Sequence, residues 1–205
     1  MKYPNFKEEK RLLKKGYKTI VGIDEVGRGP LAGPVVACAF CFSQVKKPEA
    51  RPRVNLIRDS KQLSAKQREE IYKLLRKDPN VKWGIGRVSE KVIDKINIFQ
   101  ATKLAMQKAV ANLKNKADFL LIDGNFGISS NVPQKSIIKG DEKVFSIAAA
   151  SIIAKVTRDR LMMRYHKKYP QYCFDKHKGY PTLLHKALIK QHGLCQLHRQ
   201  TFHIS

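Results

Sequence analysis

Four consecutive apolar residues, Phe119-Leu120-Leu121-Ile122, run directly into Asp123-Gly124-Asn125. A wholly apolar run this short, closed by turn residues, reads as a parallel strand covered on both faces. It therefore asks for helices on either side of a sheet. The rest of the chain supplies the partners. Strands are expected over Lys18 to Asp24, closed by the turn Gly27-Arg28-Gly29-Pro30, then over Val35 to Phe42, Val81 to Val88 and Lys135 to Lys139. Ser64-x-x-Gln67 has the form of a capping box opening a helix through Arg76. Asn97-x-x-Gln100 repeats that signal ahead of a longer helix with Phe99, Met106, Val110 and Leu113 on one face. Asp141 stands in a loop just before another long helix, in which Ala148, Ala149, Ala150, Ser151 and Ala154 permit close approach to the sheet. Strands first in hairpins and later alternating with helices imply a mixed five-stranded α/β sheet flanked by helices.

At 205 residues and 42% hydrophobic content, the chain can bury one substantial core or two small ones. One domain is expected over residues 1–205, with 1–17 as an N-terminal arm. The part after about residue 166, rich in Lys, His and Tyr, is expected to be a helical extension forming one wall of a groove. Lys plus Arg number 41 against 17 for Asp plus Glu, a formal net charge of +24, so nucleic acid is the first partner to consider. Met1 to Gly16 carries six basic residues with no apolar run behind them, unlike a secretory signal. The longest nearly apolar stretch, Phe145 to Ala154, is far shorter than the roughly 20 residues that span a bilayer. A monomeric, cytoplasmic protein without membrane contact is expected. Cys38 and Cys41 have metal-like spacing, but on a strand their sulfurs point to opposite faces. Together with Cys173 and Cys195 they read as reduced thiols rather than a zinc site.

The acids are few and well placed. Asp24 and Glu25 end one strand, Asp123 ends another, and Asp141 precedes the long helix. In an α/β sheet the strand ends are where ligands bind, so three segments could deliver carboxylates to one place. Oxygen-only ligation suits magnesium or manganese, and two such ions can assist cleavage of a phosphodiester. Taken singly, each acid has an ordinary reading: Asp123-Gly124 as a turn, Asp141 as a helix cap, Asp24-Glu25 as solvated residues at a strand exit. Glu25 joins Asp24 on one side only if the strand breaks there, as Gly27 would allow.

The segment Val21-Gly22-Ile23-Asp24-Glu25-Val26-Gly27-Arg28-Gly29-Pro30-Leu31-Ala32-Gly33-Pro34 closely resembles the N-terminal signature of bacterial ribonuclease HII. Asp59-Ser60-Lys61, Leu121 to Asn125, Lys139-Gly140-Asp141, Ala148 to Asp159, His177-Lys178-Gly179-Tyr180-Pro181-Thr182 and His198 to Phe202 match further family segments, in order. The resemblance implies a ribonuclease H-like fold, endonucleolytic cleavage of the RNA strand of RNA–DNA hybrids, and incision of DNA 5′ to a single ribonucleotide. It carries the family's acidic quartet onto Asp24, Glu25, Asp123 and Asp141, as catalytic residues and ligands of two divalent cations. It implies that Gly27, Arg28 and Gly29 contact the ribose 2′-hydroxyl, and that Tyr180 senses the junction by packing on the following deoxyribose. Ser60, Lys61, Lys155, Arg158, Lys176 and Lys178 are candidate phosphate contacts, whereas Asp159 is expected to pair with Lys155 one helical turn away.

The departures are small: Val26, Gln62 and Ala149 stand where other residues are common, and no motif acid is missing. About seventeen residues precede the first strand, which favours this group over the related ribonuclease HIII. Two other readings stay in view: a catalytically dead nucleic-acid-binding module, and a resolvase or transposase core of the same superfamily. The first leaves the acids without purpose. The second lacks the Gly-Arg-Gly and Lys-Gly-Tyr-Pro-Thr segments.

Overall fold

Turn residues and apolar runs alternate along the chain, and the strands form between the turns. The computed structural model describes residues 3–42, 57 and 60–203; the expected loop at 46–53 and Asp59 lie outside them. Strands β1 (Ile20–Val26), β2 (Val35–Phe42) and β3 (Val81–Val88) pair antiparallel. Strands β4 (Phe119–Asp123) and β5 (Gln134–Ile137) add in parallel beside β1, giving the order β3-β2-β1-β4-β5. This is the expected mixed five-stranded sheet. Two ends differ from expectation. β1 continues past Asp24, because β2 still pairs with it at Glu25↔Ala37 and Val26↔Val36. β5 stops before Lys139, which turns into the left-handed region at φ 55°.

Among the described residues the α-helices are α1 (Lys7–Lys14), α2 (Ala65–Lys77), α3 (Glu90–Ala111), α4 (Gly140–Lys143), α5 (Phe145–Lys168), α6 (Phe174–His177) and α7 (Leu183–His192). The capping box opening α2 is formed on both sides, Ser64 Oγ accepting from Gln67 N (3.2 Å) and Gln67 Oε1 from Ser64 N (2.8 Å). The N-terminal arm contains helix α1 and packs against α5. Phe6 stacks on Phe145 at 4.3 Å, and buried Glu9 accepts the Ser146 N–H (2.9 Å) at the start of α5.

Helix α5 covers one face of the sheet with α2, packing on Cys38, Phe40 and Phe42, while α3 covers the other, packing on Ala37, Ala39 and Cys41. Cys38 and Cys41 are thus both buried and lie on opposite faces, as their strand spacing requires.

On α3 and just past its end, Met106, Val110 and Leu113 pack toward the sheet as expected, and Phe99 needs correction. The buried residues of the helix are Ile93, Ala101, Thr102, Ala105, Met106 and Ala109, while Phe99 is 39% exposed and meets Phe126 edge-on. The reason is a close approach: a Cβ on Gly86 would fall 1.8 Å from the Ala105 carbonyl oxygen, so only small side chains fit between α3 and β3. Asn97, at φ 62°, divides α3 in two, and its Oδ1 accepts from Gln100 N (3.0 Å), capping the longer second part as the sequence signal implied.

The C-terminal part is helical only to His192. Beyond Gly193 the chain returns, without a helix, to the loop between β1 and β2 and to α3. Arg199 N donates to Leu31 O (2.8 Å), and Asp94 accepts from Gln200 N, Thr201 N and Thr201 Oγ1. Those partners satisfy the backbone groups that a helix would otherwise pair. Among the described residues no helix is long and apolar enough to cross a membrane.

On the other face, α5 meets β1 at Gly22, where a Cβ would lie 2.3 Å from Ser146 C and 2.5 Å from Ile147 N. Gly22→Ala is therefore expected to push α5 off the sheet and cost about 1–3 kcal/mol of stability. A denaturant titration checks this, and an unchanged midpoint would show the contact to be slack.

Candidate active site

The last rung of the β1–β4 ladder is Ile23↔Ile122, and the next residue on each strand is an aspartate. Past that rung the two parallel strands splay into a cleft of about 290 Å³. Asp24, Glu25, Gly27, Arg28, Gly29, Ser60, Asp123, Asp141, Lys155 and Tyr180 all line it. Glu25 reaches it from inside an unbroken strand, because it lies beyond the part of β1 that β4 covers. Asp141 reaches it from the first turn of α4, not from a loop, and Gly140 N donates to Asp123 Oδ1 (2.6 Å), tying that turn to the end of β4.

Asp24 and Asp141 are only 5% and 4% exposed. Burial pushes the Asp24 carboxyl well above the usual range. The neighbouring charges of Glu25, Asp123 and Asp141 push it further, while a hydrogen bond with Ser151 pulls it back. Burial also raises Glu25, with Asp123 adding to the rise and Arg28 opposing it. The Arg28 guanidinium stands 3.4 Å from Glu25 Oε1 on the open side of the cleft.

Among the described residues, no three acid, histidine or cysteine side chains are drawn together into a ready-made cage for an ion. The acids ring the cleft, and backbone N–H groups already hold Asp24 Oδ1 (Glu25 N, 2.7 Å) and Asp123 Oδ1. The donor set nevertheless fits hard cations. Every donor is a carboxylate oxygen, the charges repel one another, and Glu25 Oε2 is buried without a hydrogen-bond partner.

The turn after β1 is held from behind. Gly27 sits at φ 97°, with Arg158 and the Pro34 carbonyl against the place a Cβ would occupy. Arg199, 1% exposed, donates to the carbonyls of Gly27 (2.5 Å), Arg28 (2.8 Å) and Gly33 (2.8 Å). Arg158, fully buried, donates to Pro34 O (2.9 Å), Ala32 O (3.0 Å) and Lys178 O (2.9 Å). Its expected role as a phosphate contact is therefore wrong, since its donors are spent on main-chain carbonyls inside the protein.

Two other cations also turn away from the cleft: Lys178 Nζ donates to the Asp175 carbonyl, and Lys176 is exposed beside Asp175. The Lys61 side chain lies outside the described residues. Lys155 does line the cleft, with Nζ 5.5 Å from the Tyr180 ring centroid and 2.8 Å from Asp159, the partner expected for it.

Two cleft residues had no role assigned from sequence. Ser151 bonds Asp24 and shares a 2.9 Å hydrogen bond with Ser60 Oγ. It stands in a stripe of alanines, where one hydroxyl is the available signal. Arg68 donates to Ser60 O (2.9 Å) and Leu63 O, and nothing in the α2 sequence pattern marks it.

The family model described as Ribonuclease HII matches residues 21–204. The curated Ribonuclease HII of Chlamydia muridarum (strain MoPn / Nigg) is 52% identical over 194 residues, covering 95% of this chain and 86% of that protein. The Ribonuclease HII of Chlorobium chlorochromatii (strain CaD3) is 51% identical over 187 residues, covering 91% and 90%. Among solved structures, the ribonuclease H2 from Pyrococcus horikoshii OT3 superposes with a TM-score of 0.73 at 27% identity, covering 91% of this chain and 94% of that one.

Because the Asp24 carboxyl is raised in the folded state, folding favours its protonated form. Its contribution to stability is greatest at low pH and is lost as pH rises through that raised value. Asp24→Asn is therefore expected to stabilise the protein at neutral pH in chelator-treated buffer, by about 0.5–2 kcal/mol. The check is thermal unfolding at pH 7, where a lowered melting temperature would mean that the repulsion is already relieved.

Proposed function

The chain belongs to the ribonuclease HII family and is a ribonuclease H type II enzyme, and on that premise we propose that it is an endonuclease for the RNA strand of RNA–DNA hybrids. We propose further that it incises DNA on the 5′ side of a single embedded ribonucleotide, leaving a 3′-hydroxyl and a 5′-phosphate. The observation that carries the reading is the gathering of four acids, the Gly27-Arg28-Gly29 turn and the Tyr180 ring on one cleft. The reading takes residues 1–205 as one monomeric, cytoplasmic catalytic unit in which the part after about residue 166 forms a wall of the groove.

Asp24, Glu25, Asp123 and Asp141 would hold two divalent cations, magnesium or manganese. When bound, such ions neutralise the acids, lower the pKa of a water nucleophile and stabilise the departing 3′-oxygen. The protein's own part is positioning. Asp123 and Asp141 are held at a fixed separation by the Gly140 N–H, and Ser151 orients Asp24. Gly29 has open space where a Cβ would stand, and Gly27 lets Arg158 pack directly behind the turn, so main-chain groups on its front can approach a ribose closely. The 2′-hydroxyl is the group that marks RNA against DNA there.

Tyr180 offers a flat ring for the deoxyribose that follows, with Lys155 and Arg158 within 6 Å of its face. Ser60 and Lys155 remain as phosphate contacts within the cleft. The large positive charge draws the duplex in, an attraction that salt screens.

Incubating the enzyme with a DNA duplex holding one ribonucleotide, with and without divalent cation, and mapping the cut tests the whole reading. Retention of the duplex without cutting would favour a bare binding module. Asp123→Asn keeps an oxygen for the Gly140 N–H, so folding and duplex binding are expected to survive while cleavage falls by about a thousandfold or more. Full activity in that variant would remove Asp123 from the reaction. Tyr180→Ala is expected to slow incision at a lone ribonucleotide by about tenfold more than cleavage of a continuous hybrid; equal losses would refute the junction role.

A further inference from the structure

Behind the Tyr180 segment lies a buried group of histidines that the proposed reaction does not use. His177 is 8% exposed, His185 0% and His198 2%. They come from α6, α7 and the closing segment. The His177 and His185 rings stack with centroids 4.1 Å apart at 19°, and His185 Nε2 is 3.1 Å from His198 Nε2. Phe174 packs edge-on to both stacked rings.

Backbone groups fix where each proton sits. Cys195 N donates to His198 Nδ1 at 2.9 Å. That nitrogen is also 3.3 Å from Cys195 O, but the shorter contact comes from an N–H that can only donate. His198 therefore carries its proton on Nε2 and donates to His185 Nε2. His185 must then carry its own on Nδ1, which donates to the Tyr180 carbonyl at 3.0 Å. In the same way Gly179 N donates to His177 Nδ1 (3.1 Å), so His177 Nε2 donates to Tyr172 O (2.8 Å). All three rings are neutral in this arrangement. Other polar groups around the cluster are Asp175 and Lys178 on and beside α6, Tyr172 on the preceding turn and Cys195 in the closing segment. Burial and the neighbouring rings hold His185 down to about 4, in keeping with neutrality.

The chain of donors ends on a segment that needs holding. Lys178 and Gly179 are consecutive residues in the left-handed region, at φ 52° and 86°, immediately before Tyr180. Such a turn persists only where its surroundings impose it. We infer that His185, locked in one tautomer by His198 and stacked on His177, is a positioning residue for Tyr180. It fixes the backbone of that turn, and so sets the ring that distinguishes a lone ribonucleotide from a continuous hybrid. The inference rests on the role proposed for Tyr180 above.

Two conservative variants separate positioning from packing. The Asn amide nitrogen takes the place of His Nδ1 and can still donate to Tyr180 O, whereas Gln places its amide at Nε2, facing His198 and away from Tyr180. Asn leaves the larger space behind it, so a loss confined to Gln is not an effect of packing. The measurement is kcat and KM on a duplex with one ribonucleotide and on a continuous hybrid, both with magnesium. His185→Gln is expected to lower the kcat ratio of lone ribonucleotide to hybrid by about tenfold, with no further fall when Tyr180→Ala is added. His185→Asn is expected to stay within about twofold of the native ratio. Should His185→Gln not fold, His198→Ala frees the His185 tautomer and is expected to lower the same ratio.

If Tyr180→Ala shifts the ratio and His185→Gln does not, the inference fails while the Tyr180 reading stands. If neither shifts it, the Tyr180 reading fails and takes the inference with it. Equal shifts for His185→Gln and His185→Asn would reduce the cluster to packing.

Discussion

Two buried guanidinium groups, spent on main-chain carbonyls, hold the parts of the cleft together. Arg158 reaches from the middle of α5 to the carbonyls of Ala32, Pro34 and Lys178, and Arg199 reaches from the closing segment to those of Gly27, Arg28 and Gly33. A buried charge is tolerable only when its donors are met, and here the Arg199 fork is matched to carbonyls of one loop, the Arg158 fork to that loop and to Lys178. The Gly27-Arg28-Gly29 turn is thereby fixed from behind, with its front left open to the cleft. Arg158 also ties that loop to the Tyr180 segment, so two parts of the cleft lining far apart in sequence share one anchor.

In front of that scaffold the protein keeps an arrangement that disfavours itself. Four acids ring a cleft, two of them almost fully buried, and burial, reinforced by their mutual repulsion, raises the Asp24 carboxyl. Nothing in the packing requires this. A fold tuned for stability alone would place amides or apolar side chains there. Carboxylates gathered in this way suit divalent cations, and the surplus of basic residues elsewhere suits a polyanion. The binding site is thus set by strain in charge rather than strain in the backbone.

Most of the fold was legible because it rests on local pattern. The apolar run at 119–122, the capping box at Ser64 and the small-residue stripe from Ala148 each obey a short-range rule, and each forms as expected. The errors fall where long-range contact overrides local preference. Phe99 looks like a core residue by helical spacing, yet the glycines of β3 draw α3 in so closely that alanines take the interface. Arg158 looks like a phosphate contact in its motif, yet unpaired carbonyls of a distant loop claim it.

The sequence by itself determined the layered α/β class, the family, and the identity of the four acids, since strand periodicity, charge and motif order are written along the chain. Only the tertiary structure decided which cations face the cleft, that Ser151 and Arg68 belong to it, and that three histidines stand behind Tyr180. Those facts depend on which carbonyls and rings are left to be satisfied once the elements pack. That is a property of distances between segments up to some 170 residues apart, such as Gly27 and Arg199, and no short-range rule encodes it.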